Sequence, residues 1–288
     1  MAVMDDATMA YNNWTEFWDN SIINSDPRTA DWLLMHSPWP TLQLTALYLL
    51  VVFFGPKIMK NRPAIEARTA LALYNIALIA LNLYIFSELL IGTTKAGYSY
   101  SCQPVVYSTD ENEMRIAKAL WWYYFSKFIE FLDTIFFILR KKNNQISFLH
   151  VYHHASMFCI WWIGIKWVAG GQSFFGAQLN SFIHILMYSY YGLSALGPAV
   201  QKYLWWKRYL TKLQLVQFVI GFAHSLQSLY IQCDFPRWMQ WALVFYAMSI
   251  FSLFMNFYYQ AYINSAKKKK ANKHVSNGTG RHTKEHNE

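Results

Sequence analysis

Seven apolar runs, each close to the length of a bilayer-crossing helix, limit what this chain can fold into. They cover about 40–59, 67–91, 116–139, 147–168, 173–196, 210–231 and 238–263. An α-helix rises 1.5 Å per residue, so about twenty apolar residues cross the hydrocarbon core of a bilayer. Lipid offers no partner to backbone N–H and C=O groups, and a helix satisfies its own. The predicted fold class is therefore an all-α polytopic membrane protein with seven transmembrane helices. Composition agrees: 55% of the 288 residues are hydrophobic and 14% are charged, where a soluble domain carries about 25% charged. No convincing short-period internal repeat is visible.

The flanks differ from the spans. Residues 1–37 are polar and acidic, and Asp5, Asp6, Glu16 and Asp19 stand where a cleavable signal peptide would need a basic and then an apolar region. The first span is expected to serve as an uncleaved anchor. Residues 38–264 form one membrane domain. Residues 265–288 are a polar tail rooted in Lys267 to Lys270, expected to be disordered and to hold the last span against anionic headgroups. The net charge of +9 does not indicate nucleic acid, because the cations lie in short clusters between apolar runs.

Those clusters orient the chain. Lys57, Lys60, Arg62, Arg68, Arg140, Lys141, Lys142, Lys202, Lys207, Arg208, Lys212 and the tail cations fall on one side. Arg28, Lys95, Arg115, Lys118, Lys166 and Arg237 fall on the other. The richer side is cytosolic by the positive-inside rule, so the N-terminus is expected to be luminal and the C-terminus cytosolic. Asn13-Trp14-Thr15 is then a candidate glycosylation sequon, and Asn277-Gly278-Thr279 is on the wrong side. Cys102 and Cys233 both fall in luminal loops, where disulfides persist, and Cys159 lies inside the fourth span. The hypothesis is a Cys102–Cys233 bond; two unrelated free thiols are the alternative.

Polar groups inside the spans carry the chemistry. His150, His153 and His154 sit at i, i+3 and i+4, one face of a helix. Buried imidazoles at a membrane boundary are costly unless paired or used; the bland reading is three hydrogen-bonded histidines at a helix start. Lys127, Glu130, Asp133 and Thr134 share a face of the third span. Lys127 with Glu130 makes an i, i+3 ion pair, and Asp133 is free to orient a histidine. The alternative is a buried pair that only fixes packing. The fifth span carries Asn180, His184, Met187, Tyr188 and Tyr191, and the sixth Thr211, Gln214, Gln217 and His224. Gln214 and Gln217 read as interhelical glue or cavity lining, His224 as a hydrogen-bonded core histidine, and Cys159 as core packing.

Depth joins these groups. At 1.5 Å per residue, Asp133 lies roughly 10 Å in from Arg140, and His154 about 10 Å in from the start of its span. Four spans thus place polar groups in the cytosolic half of the bilayer. A charged substrate head would enter there past Lys141, Lys142, Lys202, Lys207 and Arg208, cations suited to phosphates. A hydrocarbon chain would extend into the apolar remainder. Imidazole can accept an acyl group, and a second imidazole can move protons. A metal is not favoured. Di-iron membrane oxidases need about eight histidines in several boxes, the spans offer His150, His153, His154, His184 and His224, and Lys127 sits beside the carboxylates Glu130 and Asp133 that could add ligands.

At these residues the chain resembles the ELOVL family, the elongases of very long chain fatty acids. The resemblance covers about 38–263. It rests on Lys127-x-x-Glu130-x-x-Asp133-Thr134, His150-x-x-His153-His154, Asn180-x-x-x-His184-x-x-Met187-Tyr188 and Thr211-x-x-Gln214-x-x-Gln217. The runs 139–145 and 161–171 are similar to the vertebrate branch that handles very long and polyunsaturated chains.

The resemblance implies a 3-oxoacyl-CoA synthase of the endoplasmic reticulum that condenses a long acyl-CoA with malonyl-CoA, releasing CO2 and CoA with no bound cofactor. It implies six spans around an acyl tunnel and a ping-pong mechanism with the acyl group on His153. His150, His154 and His184 would assist proton transfer and Asp133 would orient a histidine. Lys127, Glu130, Asn180, Tyr188, Gln214 and Gln217 would support the site. A luminal disulfide also occurs in the family. Implied partners are the 3-ketoacyl-CoA reductase, 3-hydroxyacyl-CoA dehydratase and enoyl-CoA reductase of the same cycle, and other elongase chains. The ending Lys284-Glu-His286-Asn-Glu departs from the family's dilysine-type signal. Outside this reading stand a seven-span transporter or receptor, an inactive paralogue and a metal-dependent lipid oxidase.

Overall fold

In the computed structural model, residues 21–22 and 24–264 are described; Asn13, the second sequon and the tail from 265 onward lie outside them. Among the described residues every regular element is helical. The long helices are α1 (Trp39–Met59), α2 (Arg68–Lys95), α3 (Glu111–Ile129), α4 (Phe131–Leu139), α5 (Phe148–Trp167), α6 (Ser173–Ala195), α7 (Lys207–Tyr230) and α8 (Arg237–Tyr258), the last running into a π-helical turn, Tyr259–Asn264. Each apolar run is thus helical. Three helices, Trp39–Met59, Arg68–Lys95 and Arg237–Asn264, are long and apolar enough by length and composition alone to cross a membrane. The others carry the polar groups described above.

The third run differs from its expected form, because it divides at Glu130 into α3 and α4. The segment holds neither Gly nor Pro. Ser126 Oγ donates to the Tyr123 carbonyl at 2.7 Å, and a serine bonding back into its own helix bends it. The break places Glu130 at the joint, fully buried.

Local signals set the other ends. Asp110 accepts from Asn112 N at 2.9 Å, capping α3. Ser147 Oγ accepts from His150 N at 3.2 Å, which fixes the first turn of α5 and with it the direction of the histidine face. After α5, Gly171 has φ +54, and a Cβ there would lie 2.9 Å from Val105 N. Only glycine allows the Cys102 loop to lie so close.

Helix contacts run α2 to α3, α3 to α5, α5 to α8, α8 to α7, α7 to α6 and α6 back to α2, a closed circuit, while α1 lies outside it against α4 and α5. Aromatic rings fill the core on the α3–α5 side. Tyr124 stacks on Phe158 at 5.0 Å and Tyr48 on Phe131 at 4.1 Å.

Residues 24–37, part of the segment read from sequence as polar and acidic, close one end of the circuit. Asp26 and Arg28 are buried and paired at 2.6 Å. Arg28 Nη2 also donates to Ala169 O at 3.0 Å, and Asp26 N donates to Lys166 O at 2.9 Å. At the same end a disulfide joins Cys102 to Cys233, tying the α2–α3 loop to the α7–α8 turn. Cys159 is free, with Thr45 Oγ1 3.4 Å from its sulfur.

Candidate active site

A larger and a smaller cavity adjoin within the helix circuit. The larger, about 480 Å³, is lined by Glu130, Asp133, His150, His153, His154 and His184, with Tyr188, Tyr191, Lys207, Thr211 and Gln214 among its other walls. The smaller, about 150 Å³, is lined chiefly by apolar and aromatic side chains such as Met157, Ile160, Trp161, Leu243 and Tyr246. His153, Asn180, Gln217 and Phe218 line both. A polar space and an apolar space therefore meet at one histidine.

The histidine face of α5 folds as its spacing requires. The His150 and His154 ring centroids lie 4.3 Å apart, and those of His153 and His154 5.5 Å apart at 90°. Thr134 Oγ1 lies 2.7 Å from His150 Nε2, and Tyr48 OH lies 3.1 Å from the same Thr134 oxygen. His154 is 7% exposed and its Nδ1 has no hydrogen-bond partner. Among the described residues the His153 ring makes no hydrogen bond, so its nitrogens remain available to whatever enters.

A second group surrounds Glu130. Lys127 Nζ donates to Glu130 Oε1 at 2.8 Å and lies 4.4 Å from the Tyr123 ring centre. His184 Nδ1 lies 3.3 Å from the same Glu130 oxygen, near enough for an ion pair but outside hydrogen-bond geometry. Asn180 Oδ1 accepts from Tyr123 OH at 2.6 Å and from Lys127 Nζ at 3.5 Å. The carboxylate thus links α3 and α6. Burying a charged pair is costly, and these contacts offset part of that cost.

Asp133 differs from expectation. It accepts from Tyr188 OH at 3.0 Å and, among the described residues, makes no hydrogen bond to a histidine. Thr134, one residue on, takes the place expected of it at His150. One helical position is a 100° turn, so Asp133 points to α6 and Thr134 to α5 and α1. The sequence carried a signal for Thr134, a polar residue inside the span; it carried none for Tyr48, which lies on a different helix.

The remaining predicted residues divide. Gln214 lines the larger cavity with Nε2 3.6 Å from Met187 Sδ. Gln217 is buried, and its Oε1 has no partner. Of the five proposed entrance cations, Lys207 alone is among the cavity's lining residues. Lys141 donates to Lys60 O at 3.0 Å, Lys202 lies over the Tyr203 ring, and Arg208 donates to Tyr258 OH at 3.0 Å. Lys142 is exposed. Asn144, Gln145 and Ser147, not foreseen, line the larger cavity from the α4–α5 turn. His224 Nε2 lies 3.0 Å from Tyr100 O, as a structural histidine would.

Such an arrangement can hold a polar head and an apolar tail at once, with an unpaired imidazole at their junction and further imidazoles beside it.

Residues 33–270 match the ELO family, described as GNS1/SUR4. Over 277 residues the chain is 59% identical to "Very long chain fatty acid elongase 4" of Mus musculus, covering 96% of this chain and 88% of that protein. It is 52% identical over 271 residues to "Very long chain fatty acid elongase 2" of the same organism, covering 93% and 91%. It is 51% identical over 237 residues to "Very long chain fatty acid elongase 5" of Tachysurus fulvidraco, covering 82% and 80%.

Proposed function

The chain belongs to the ELO (GNS1/SUR4) family, and from that premise we propose that it is the condensing enzyme of fatty acid elongation, a very-long-chain 3-oxoacyl-CoA synthase. It joins a long acyl-CoA to malonyl-CoA and releases CO2 and CoA. The observation that carries the mechanism is the position of His153 between the polar and apolar cavities.

The hydrocarbon tail occupies the apolar cavity and the CoA head the polar one, with Lys207 near its phosphates. This sets the thioester carbonyl beside His153. An imidazole nitrogen attacks the carbonyl carbon, the carbon–sulfur bond breaks, and CoA leaves with a proton. Malonyl-CoA then replaces CoA. Its carboxylate departs as CO2, and the electron pair left on carbon 2 attacks the acyl-imidazole carbonyl. The bond to His153 breaks, 3-oxoacyl-CoA forms, and the released imidazole takes up one proton from solvent through a neighbouring histidine, which restores it. His150, His154 and His184 lie where they can carry protons. Thr134 holds His150, and the Lys127–Glu130–Asn180 group fixes α3 against α6 and faces His184. Asp133 acts through Tyr188. The reaction as written needs no bound cofactor.

The same reading gives seven spans, α2 to α8 enclosing an acyl tunnel with α1 outside, the N-terminus luminal and the C-terminus cytosolic. It places the membrane domain at 38–264 between a luminal segment and a basic tail, in the endoplasmic reticulum beside the reductases and dehydratase that complete the cycle. The multi-pass apolar helices and the disulfide at the end opposite His150 support it.

The test is a microsomal assay with labelled malonyl-CoA and acyl-CoAs of increasing length. Labelled 3-oxoacyl-CoA is the expected product. A correctly inserted chain that yields none across the panel contradicts the reading.

A further inference from the structure

The smaller cavity has a feature that the chemistry at His153 does not use: helices α5, α6 and α7 each present a glycine to it, Gly164, Gly176 and Gly221. A Cβ built on Gly176 or on Gly221 meets no atom within 4 Å, and one on Gly164 meets only a Trp161 ring carbon at 3.6 Å. Neither Gly176 nor Gly221 is therefore required by a tight helix crossing. Each missing side chain leaves open space at the cavity wall, where Gly176 is exposed and Gly221 half-buried.

Depth orders the three. Gly176 precedes Asn180 by one helical turn and Gly221 follows Gln217 by one turn. At 1.5 Å per residue both lie about 6 Å beyond the level shared by the two cavities, on the side away from His150. Gly164 follows His153 by eleven residues, about 16 Å deeper along α5. An independent sign that this level receives a ligand is Gln217, 9% exposed, which lines both cavities and leaves its Oε1 without a partner.

We infer that Gly176 and Gly221 together set how long an acyl chain can pass beyond His153, with Gly164 setting a second, deeper limit. The inference rests on the acyl-condensing reading above. A side chain at Gly176 or Gly221 fills the passage about four residues' rise beyond the reacting carbonyl and blocks longer chains there. A side chain at Gly164 leaves that level open and trims only the longest. Adding or removing one methylene in an apolar pocket changes kcat/KM by roughly 10- to 200-fold, so the limit should be sharp.

The experiment measures kcat/KM for acyl-CoAs of stepped length with the full chain in microsomes, comparing wild type with Gly221→Leu, Gly176→Leu, Gly221→Ala and Gly164→Val. The expected result is a fall of at least about tenfold in the long-to-short ratio for Gly221→Leu. Gly176→Leu should cut at a similar length, Gly221→Ala less severely, and Gly164→Val only at the longest chains. Equal loss at every length, or an unchanged longest product in Gly221→Leu and Gly176→Leu, overturns the inference while leaving the condensing activity intact. A wild type inactive on every acyl-CoA overturns the condensing reading and this inference with it.

Discussion

Thr134 Oγ1 sits 2.7 Å from His150 Nε2, and Tyr48 OH sits 3.1 Å from the same hydroxyl. Three helices, α1, α4 and α5, thus converge on one imidazole. A hydroxyl has one proton to donate, so its position in this chain decides the tautomer that His150 presents to its neighbours. Thr134→Val keeps the shape and removes the partner. The expected effect is a fall in kcat on the order of tenfold, the worth of one lost hydrogen bond, with KM nearly unchanged. Thr134→Ser should restore most of the rate. Steady-state kinetics on the three proteins checks this, and a Val variant with wild-type kcat removes Thr134 from the site.

Lys127 and Glu130 are each 1% exposed at the side chain. Removing one partner strands a buried charge, at a cost of about 3–5 kcal/mol, whereas removing both is often neutral. Lys127→Met is expected to lower thermal stability in detergent markedly. Adding Glu130→Gln should recover most of that loss. Condensing activity should stay low in the double variant, because His184 then lacks its carboxylate. Full activity in the double variant would mean that the pair serves packing alone.

The Cys102–Cys233 bond closes a separation of 131 residues. Loops of that size make a disulfide worth roughly 2–5 kcal/mol. Cys102→Ser should lower Tm, and dithiothreitol should lower the Tm of wild type but not of the variant. In the denatured, unreduced protein a maleimide should label one cysteine, Cys159. Three labels would show the bond to be absent.

Arg28 neutralises Asp26, which is fully buried, and also binds Ala169 O. Arg28→Leu leaves that carboxylate unpaired where the segment before α1 meets α5. The expected loss is about 3–5 kcal/mol, read as a lower Tm, and Arg28→Leu with Asp26→Asn should regain part of it. A single variant as stable as wild type would show that this end does not hold the bundle together.

How much of this was legible in the sequence differs by residue. Apolar length alone located the helices, since a run of twenty has few other folds open to it. The α5 face was legible because i, i+3 and i+4 determine a face. The Lys127–Glu130 pair was legible for the same reason. The break at Glu130 was not, because it arises from Ser126 bonding to Tyr123 O, a side-chain choice. Periodicity placed Asp133 and Thr134 on one stripe but could not say that α6 would meet the first and α5 the second. The role of residues 24–37 was hidden too. Their anchors, Lys166 O, Ile165 O and Ala169 O, are backbone atoms far along the chain, and backbone acceptors leave no mark in a sequence.

The most direct test of the account concerns His153 at the junction of the two cavities. Purified protein is given acyl-CoA labelled in the acyl group, without malonyl-CoA, and free CoA and protein-bound label are measured together. The account predicts up to one CoA released per active chain, with matching label on the protein that hydroxylamine removes and that malonyl-CoA converts to 3-oxoacyl-CoA. His153→Ala should give neither. CoA release that begins only when malonyl-CoA is added, or label that persists in His153→Ala, would contradict it.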